Sequence, residues 1–127
     1  MQRKRVLIID DEEAIREVAA LAFELAEWDV ACASSGAEGL AAAMTDPPDA
    51  IVLDVMMPDL DGPATYRLLV ADKRTRDIPV IFLTAKIQNA DRRRYVDLGV
   101  RGVIAKPFDP LKLPDQVEAL LSREVQS

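Results

Sequence analysis

Acidic, hydroxyl and amine side chains stand directly after the short apolar runs of this sequence. In chain order they are Asp10, Asp11, Asp54, Thr84 and Lys106. Runs of about four or five apolar, β-rich residues are typical of strands that are buried on both faces of a parallel sheet. In such sheets the ligand crevice lies just beyond the carboxyl ends of the strands. We therefore expect these acids, the hydroxyl and the ammonium to meet at one edge of one sheet.

Converging carboxylates repel one another unless they are protonated or share a cation. The sequence has no histidine and one cysteine, so its oxygen ligands favour a hard cation, and Mg²⁺ suits an open carboxylate site. Such a metal ion and Lys106 would offset the charge of a phosphoryl group, and the Thr84 hydroxyl would donate a hydrogen bond to it. Asp54 is then placed as a nucleophile that forms an aspartyl phosphate.

Each of these residues also has a purely structural interpretation. An acid pair before a helix is commonly a cap, Thr84 can simply end a strand, and a single lysine is usually solvated. Asp59 and Asp61 fit the turn between Pro58 and Gly62. The joint arrangement favours the phosphoryl site, because nothing else in the sequence explains why a stable fold would bring several acids together.

Strand-like and helix-like segments alternate five times along the chain. Strands are predicted at residues 6–9, 30–33, 50–54, 78–83 and 102–106. Helices are predicted from 12 to about 27, from 35 to the proline pair at 47–48, from 63, over 89–98, and from a start between 110 and 114. The spacing of apolar residues predicts a buried face on the first helix and another on the third. The first comprises Ile15, Val18, Ala19, Ala22, Leu25 and Ala26, and the third Tyr66, Leu68 and Leu69.

Strand–helix alternation with short connections predicts a parallel sheet with helices on both faces. The class is therefore α/β, and five repeats suit the flavodoxin-like (βα)5 three-layer sandwich with strand order 2-1-3-4-5. Its switch point lies between strands 1 and 3, which end on Asp10-Asp11 and on Asp54.

Length and composition limit the classes of function. The chain has 127 residues and a formal net charge of −6. This length suits one domain, and the negative charge disfavours nonspecific binding to nucleic acid. No apolar stretch is long enough for a signal peptide or a membrane span, and Cys32 is interpreted as a small buried strand residue in a reducing compartment. We therefore expect a cytoplasmic protein with neither nucleic-acid nor membrane partners.

The sequence resembles response-regulator receiver domains over essentially its whole length. The motifs that carry the resemblance are Val-Leu-Ile-Ile-Asp10-Asp11-Glu12, Ile-Val-Leu-Asp54-Val-Met-Met-Pro58-Asp-Leu-Asp-Gly62, Phe-Leu-Thr84-Ala85-Lys86 and Ala-Lys106-Pro107-Phe108. Several motifs in the same order make the match specific. The resemblance implies a stand-alone response regulator of a two-component phosphorelay, with residues 1–127 as the receiver domain and no output domain.

The resemblance also implies roles for individual residues. Asp54 would accept a phosphoryl group from a histidine kinase or a phosphotransfer protein. The implied Mg²⁺ ligands are Asp11, Asp54, the Met56 backbone carbonyl and, partly through water, Asp10. Thr84 and Lys106 would contact the phosphoryl group, and the Lys106–Pro107 peptide would be cis. The protein would promote only its own phosphorylation and dephosphorylation, and would bind a downstream protein through the face formed by the fourth helix, fifth strand and fifth helix.

Val103 departs from the family pattern. It lies three residues before Lys106, where receiver domains usually have Tyr or Phe. Valine is stiff at χ1 and too short to rotate between buried and exposed positions. We therefore expect the signal to leave through the loop after Thr84 and the weakly amphipathic helix at 89–98. The three arginines at 92–94 are either a docking patch or a solvated face.

Two other functions fit parts of the pattern. One is a Mg²⁺-dependent phosphatase with an aspartate nucleophile. The haloacid-dehalogenase type has Asp-x-Asp after its first strand, so that both acids point the same way, and the adjacent Asp10 and Asp11 argue against it. The other is a scaffold whose binding ignores phosphorylation.

Overall fold

The computed structural model describes residues 3–85 and 88–122. The strands in these segments are β1 (Arg5–Ile9), β2 (Asp29–Ala33), β3 (Ala50–Asp54), β4 (Val80–Thr84) and β5 (Gly102–Ala105). The helices are α1 (Glu13–Leu25), α2 (Gly36–Thr45), α3 (Gly62–Ala71), α4 (Asn89–Leu98) and α5 (Leu113–Ser122). Strands and helices alternate as predicted, and α4 has the predicted bounds. None of the helices in the described segments is long and apolar enough to cross a membrane.

The strands form one parallel sheet in the order β2-β1-β3-β4-β5. Every residue of β3 and β4 is buried, as their continuous apolar runs predict. Asp54 pairs with Leu83, and the following residue, Thr84, pairs with Ala105. The predicted flavodoxin-like topology is confirmed, and it aligns the carboxyl ends of the central strands.

Helices cover both faces of the sheet and complete the three layers. On one face, α1 and α5 bury Phe23 and Val117 against the sheet. On the other face, Ala43 of α2, Leu69 of α3 and Tyr95 of α4 pack against the remaining strand side chains. Both apolar layers hold the strands in place, so the polar residues at the strand ends have a rigid base.

Local signals begin and end these helices. The Ser35 side chain accepts a hydrogen bond from the Glu38 N–H and starts α2, and the Asp61 carboxylate does the same for α3, which has a proline in its first turn. Helix α1 ends earlier than predicted, because Glu27 has a φ of 68°. Gly99 follows α4 with a φ of 121°, a conformation that favours glycine.

The predicted buried faces of two helices are partly wrong. Leu25 is 72 % exposed, and Val18 and Leu68 are also exposed. Helix α1 buries Ala19 and Ala22, as predicted, but it also buries Phe23, which the spacing did not place on that face. Periodicity locates a helix but does not fix its rotation about its own axis. In the observed rotation the large Phe23 ring packs edge-to-face against Trp28.

The prediction that Cys32 is buried is also wrong, because its side chain is exposed. Strand β2 is at the edge of the sheet, and Ala33 is its one fully buried residue. An edge strand lacks a neighbour on one side, so an apolar run there does not imply burial on both faces.

Candidate functional site

The three acids that the sequence predicts to converge lie together in the structure. Asp54 is the last residue of β3, and Asp10 follows β1, the adjacent strand. One carboxylate oxygen from each of Asp10, Asp11 and Asp54 lies within 4.8 Å of the other two. Asp10 and Asp54 are buried, at 0 % and 3 % exposure, whereas Asp11 is exposed. The acidic cluster therefore has a buried base and one side open to solvent.

The Lys106 ammonium lies against the buried acids. Its Nζ is 2.9 Å from Asp10 Oδ2 and 3.2 Å from Asp54 Oδ1. The backbone N–H of Lys106 donates to the Thr84 carbonyl at 2.9 Å, and the Lys106–Pro107 peptide is cis, as predicted. Burial acts to lower the Lys106 pKa, but attraction from Asp10 and Asp54 outweighs it and leaves the pKa raised. The ammonium is therefore protonated at neutral pH.

The environment of Asp54 disfavours its negative charge. Burial and then repulsion from Asp10 raise the pKa of Asp54 to about 6, although Lys106 and the Met56 backbone N–H act to lower it. One ammonium thus compensates the acidic cluster only in part. A further cation at this position would favour the ionised form of all three acids.

Both carboxylate oxygens of Asp10 face positive or donor groups. Its Oδ1 accepts the Glu12 N–H at 2.9 Å. Among residues 3–85 and 88–122, no donor makes a well-directed hydrogen bond to the buried Oδ2, whose contact with Lys106 is an ion pair. The excess negative charge and the all-oxygen donor set fit a hard divalent cation such as Mg²⁺.

The other predicted site residues border the acidic cluster. Thr84 is buried at the end of β4, next to β3 in the sheet. Met56 lies two residues after Asp54 in the loop before α3, and its side chain is 68 % exposed. Lys86, the last residue of the third motif, lies outside the described residues. Asp61 caps α3, which agrees with the predicted turn role.

Two residues beside the acidic cluster were not recognised as site residues from the sequence. Glu12 Oε1 lies 3.9 Å from Lys106 Nζ. The Arg16 Nη1 group donates to the Asp10 backbone carbonyl at 2.8 Å. Helical spacing places Arg16 one turn after Glu12, the N-cap residue of α1, but it does not specify the contact with the Asp10 carbonyl.

Residues 6–118 match the response regulator receiver domain family, and the chain belongs to this family. The predicted resemblance is therefore confirmed. Receiver domains are regulatory domains of two-component systems that switch by phosphorylation. They interact with histidine kinases or phosphotransfer proteins and bind Mg²⁺ at an acidic pocket.

The curated relatives are larger proteins. The DNA-binding dual master transcriptional regulator RpaA of Synechocystis is 42% identical over 119 residues, which are 94% of this chain and 49% of the relative. The alkaline phosphatase synthesis transcriptional regulatory protein PhoP of Bacillus subtilis is 39% identical over 120 residues, which are 94% of this chain and 49% of that protein. The chain thus spans about half the length of these relatives.

Solved structures of similar size share the fold. The chemotaxis response regulator CheY4 of Vibrio cholerae has a TM-score of 0.88 at 26% identity, with 94% of this chain and 99% of that chain covered. A putative response regulator from Chloroflexus aurantiacus has a TM-score of 0.87 at 30% identity, with 96% and 100% covered. The whole described fold, including the sheet edge with the acidic cluster, is thus of the receiver type.

Proposed function

We propose that this domain is a phosphorylation-controlled switch in which Asp54 accepts a phosphoryl group in a Mg²⁺-dependent reaction. The observation that carries the proposal is the setting of the Asp54 carboxylate, which is buried, shares an acidic cluster with Asp10 and Asp11, and lies 3.2 Å from the Lys106 ammonium. A carboxylate beside a fixed cation and a metal-binding oxygen set is arranged for nucleophilic attack on phosphorus.

The donor lies outside these 127 residues, because they contain no histidine that could carry the phosphoryl group. A phosphohistidine of a histidine kinase or phosphotransfer protein fits this requirement. An Asp54 oxygen forms the new P–O bond while the P–N bond of the phosphohistidine breaks, and the imidazole leaves with the electron pair. The domain itself returns unchanged after hydrolysis, so it regulates rather than converts a separate substrate.

The remaining residues stabilise the transferred charge. Asp10, Asp11, Asp54 and the Met56 backbone carbonyl would hold Mg²⁺, which supplies positive charge beside the phosphoryl oxygens. The Lys106 ammonium already lies 3.2 Å from Asp54. It would therefore contact the negatively charged phosphoryl group once that group is bonded to Asp54. The Thr84 hydroxyl, from the adjacent strand, donates a hydrogen bond to it.

The downstream protein is proposed to bind the face formed by α4, β5 and α5. A cavity of about 350 Å³ lies on this face. Its lining residues include Arg92, Val103, Phe108 and Gln116. Arg92 Nη1 donates to the Val103 carbonyl at 3.4 Å, so a shift of α4 relative to β5 would change the cavity. Arg94 is held by Asp91 and lies over the Tyr95 ring, which favours a local structural role for that arginine.

Labelling with a small phosphodonor tests the function. With acetyl phosphate and Mg²⁺, intact mass spectrometry should detect one phosphoryl group per chain. Asp54→Asn should abolish it, whereas Asp59→Asn, a matched change in the nearby turn, should not. Labelling that persists in Asp54→Asn would contradict the proposal. Rapid release of phosphate over many turnovers with no accumulation of the labelled chain would instead support the phosphatase alternative, and partner binding that ignores the label would support the scaffold.

A further inference from the structure

Asp11 lacks side-chain contacts that could aim it. Its carboxylate is exposed, and it makes no hydrogen bond or ion pair with any residue in segments 3–85 and 88–122. Nevertheless one of its oxygens lies within 4.8 Å of oxygens of Asp10 and Asp54. The direction of the Asp11 side chain must therefore come from the backbone on either side of it, at Asp10 and Glu12.

Arg16 contacts both ends of this short segment, through its side chain at Asp10 and through the ordinary helical backbone bond at Glu12. Its Nη1 donates to the Asp10 carbonyl at 2.8 Å, and its backbone N–H donates to the Glu12 carbonyl at 3.1 Å. The Asp10 carbonyl lies beyond the last residue of β1, where the strand ladder has ended, so the guanidinium supplies the hydrogen bond that a partner strand would otherwise provide. The Glu12 side chain makes no cap hydrogen bond, and the Asp10 carboxylate accepts the Glu12 N–H. From α1 itself, the Arg16 guanidinium is the side chain that reaches back to the segment.

We infer that Arg16 is a positioning residue for the metal site, because it fixes the Asp10 peptide and thereby turns the Asp11 carboxylate toward Asp10 and Asp54. The inference rests on the proposed function, in which these acids hold Mg²⁺. The planar guanidinium suits this role, since its fork of N–H groups loses little freedom when it bonds a fixed carbonyl.

Charge and positioning make opposite predictions for the removal of Arg16. A guanidinium near a cation site repels a bound dication, so its loss through charge alone would tighten Mg²⁺ binding. Loss of the bond to the Asp10 carbonyl would instead free the Asp11 backbone and weaken binding. Residues that orient metal ligands from outside the ligand set typically change metal affinity by about 10- to 100-fold. The sign of the change therefore separates the two roles.

The experiment measures Mg²⁺ affinity of the full chain by isothermal titration calorimetry. Arg16→Met, which keeps the length and loses the donors, should raise the dissociation constant about tenfold. Arg16→Lys, which keeps a donor, should recover most of the affinity. Arg93→Met, the same change at an exposed arginine of α4, should leave it unaltered. Labelling by acetyl phosphate should need more Mg²⁺ in Arg16→Met, while its maximal rate at saturating Mg²⁺ stays within about twofold of the unchanged protein.

An unchanged or tighter dissociation constant in Arg16→Met would overturn the inference. If that variant fails to fold in chelator, Arg16→Gln carries the same expectation, and full affinity in it would overturn the inference equally. The two failures are distinguishable. A wild-type chain that neither binds Mg²⁺ nor becomes labelled removes the proposed function, whereas a labelled wild type with an equally tight Arg16→Met variant removes only the role of Arg16.

Discussion

At the scale of single residues, the ionised form of the buried Asp54 side chain is energetically unfavourable. In the metal-free protein its pKa is about 6, against an ordinary value of 3.8. The buried carboxyl is stable in its neutral form, and the acid of Asp10 beside it opposes ionisation. A nucleophile must nevertheless be ionised, so the site holds Asp54 in a state that is destabilising until a cation joins it. This is the pattern of a perturbed functional group rather than of a structural acid.

The raised pKa predicts a particular dependence of stability on pH. Because the folded state binds the Asp54 proton more tightly than the unfolded chain, this residue stabilises the fold at about pH 4, and the contribution is lost as the pH rises through about 6. The loss is on the order of 2–3 kcal/mol, from about 1.4 kcal/mol for each pKa unit. Urea unfolding in chelator, at pH values on both sides of this window, measures it.

Asp54→Asn is the matched control for this measurement, because it keeps the shape and removes the titration. Its stability should fall less than that of the unchanged protein between the acidic and the neutral condition. Curves that run parallel for the two proteins would show that Asp54 does not titrate in this range.

At the scale of elements, α4 is held to the sheet by few apolar contacts. Tyr95 is its one buried residue, and its ring lies 5.0 Å from that of Phe82 in an edge-to-face arrangement. Phe82 is two residues before Thr84 on β4 and pairs with Val103 of β5. The aromatic rings that pack on Phe82 thus come from helices, Tyr66 of α3 and Tyr95 of α4, while β5 supplies only the short Val103 side chain.

We expect phosphorylation to act on α4, because an element with one buried anchor is among the least costly to shift. Beryllofluoride, which mimics the phosphoryl group, should alter hydrogen exchange in the segment from Thr84 to Gly99 more than in α1. Val103→Ala should barely change this response, whereas Tyr95→Ala should raise exchange in α4 even without the mimic. Changes confined to α1 and α2, or a response abolished by Val103→Ala, would contradict this route.

At the scale of the whole molecule, repulsion within the acidic cluster makes the free energy of unfolding depend on whether a metal ion is bound. Two adjacent strands of a rigid sheet bring the buried carboxylates of Asp10 and Asp54 together, with Asp11 beside them, so the two buried acids cannot relax apart while the fold persists. In the unfolded chain the same acids separate and the repulsion disappears. Any cation that joins them therefore binds the folded state in preference to the unfolded one.

Mg²⁺ should accordingly stabilise the protein. At ten times its dissociation constant the gain in free energy of unfolding is about 1.4 kcal/mol, which raises the melting temperature by roughly 3–8 °C for a domain of this size. Thermal melts in Mg²⁺ and in chelator measure the shift. Asp11→Ala should lose most of it, while Asp59→Ala should keep it. An equal shift in Asp11→Ala would argue against a metal site at the acidic cluster.

Sequence alone suffices for the alternation of strands and helices, the strand order and the polar residues at the strand ends. Run length and periodicity are local properties, and a right-handed parallel sheet leaves few topologies, so Asp10 and Asp54 have to meet at one edge. The same locality accounts for the correct bounds of α4, between its first polar residues and Gly99.

Packing settles what local patterns leave open. The rotation of α1 exposes Leu25 and buries Phe23. It depends on the strand side chains that pack directly against this helix. The exposure of Cys32 depends on β2 being an edge strand. The contact of Arg16 with the Asp10 carbonyl depends on the angle at which α1 leaves β1. Each of these is a relation between elements, and no periodicity within a single element encodes it.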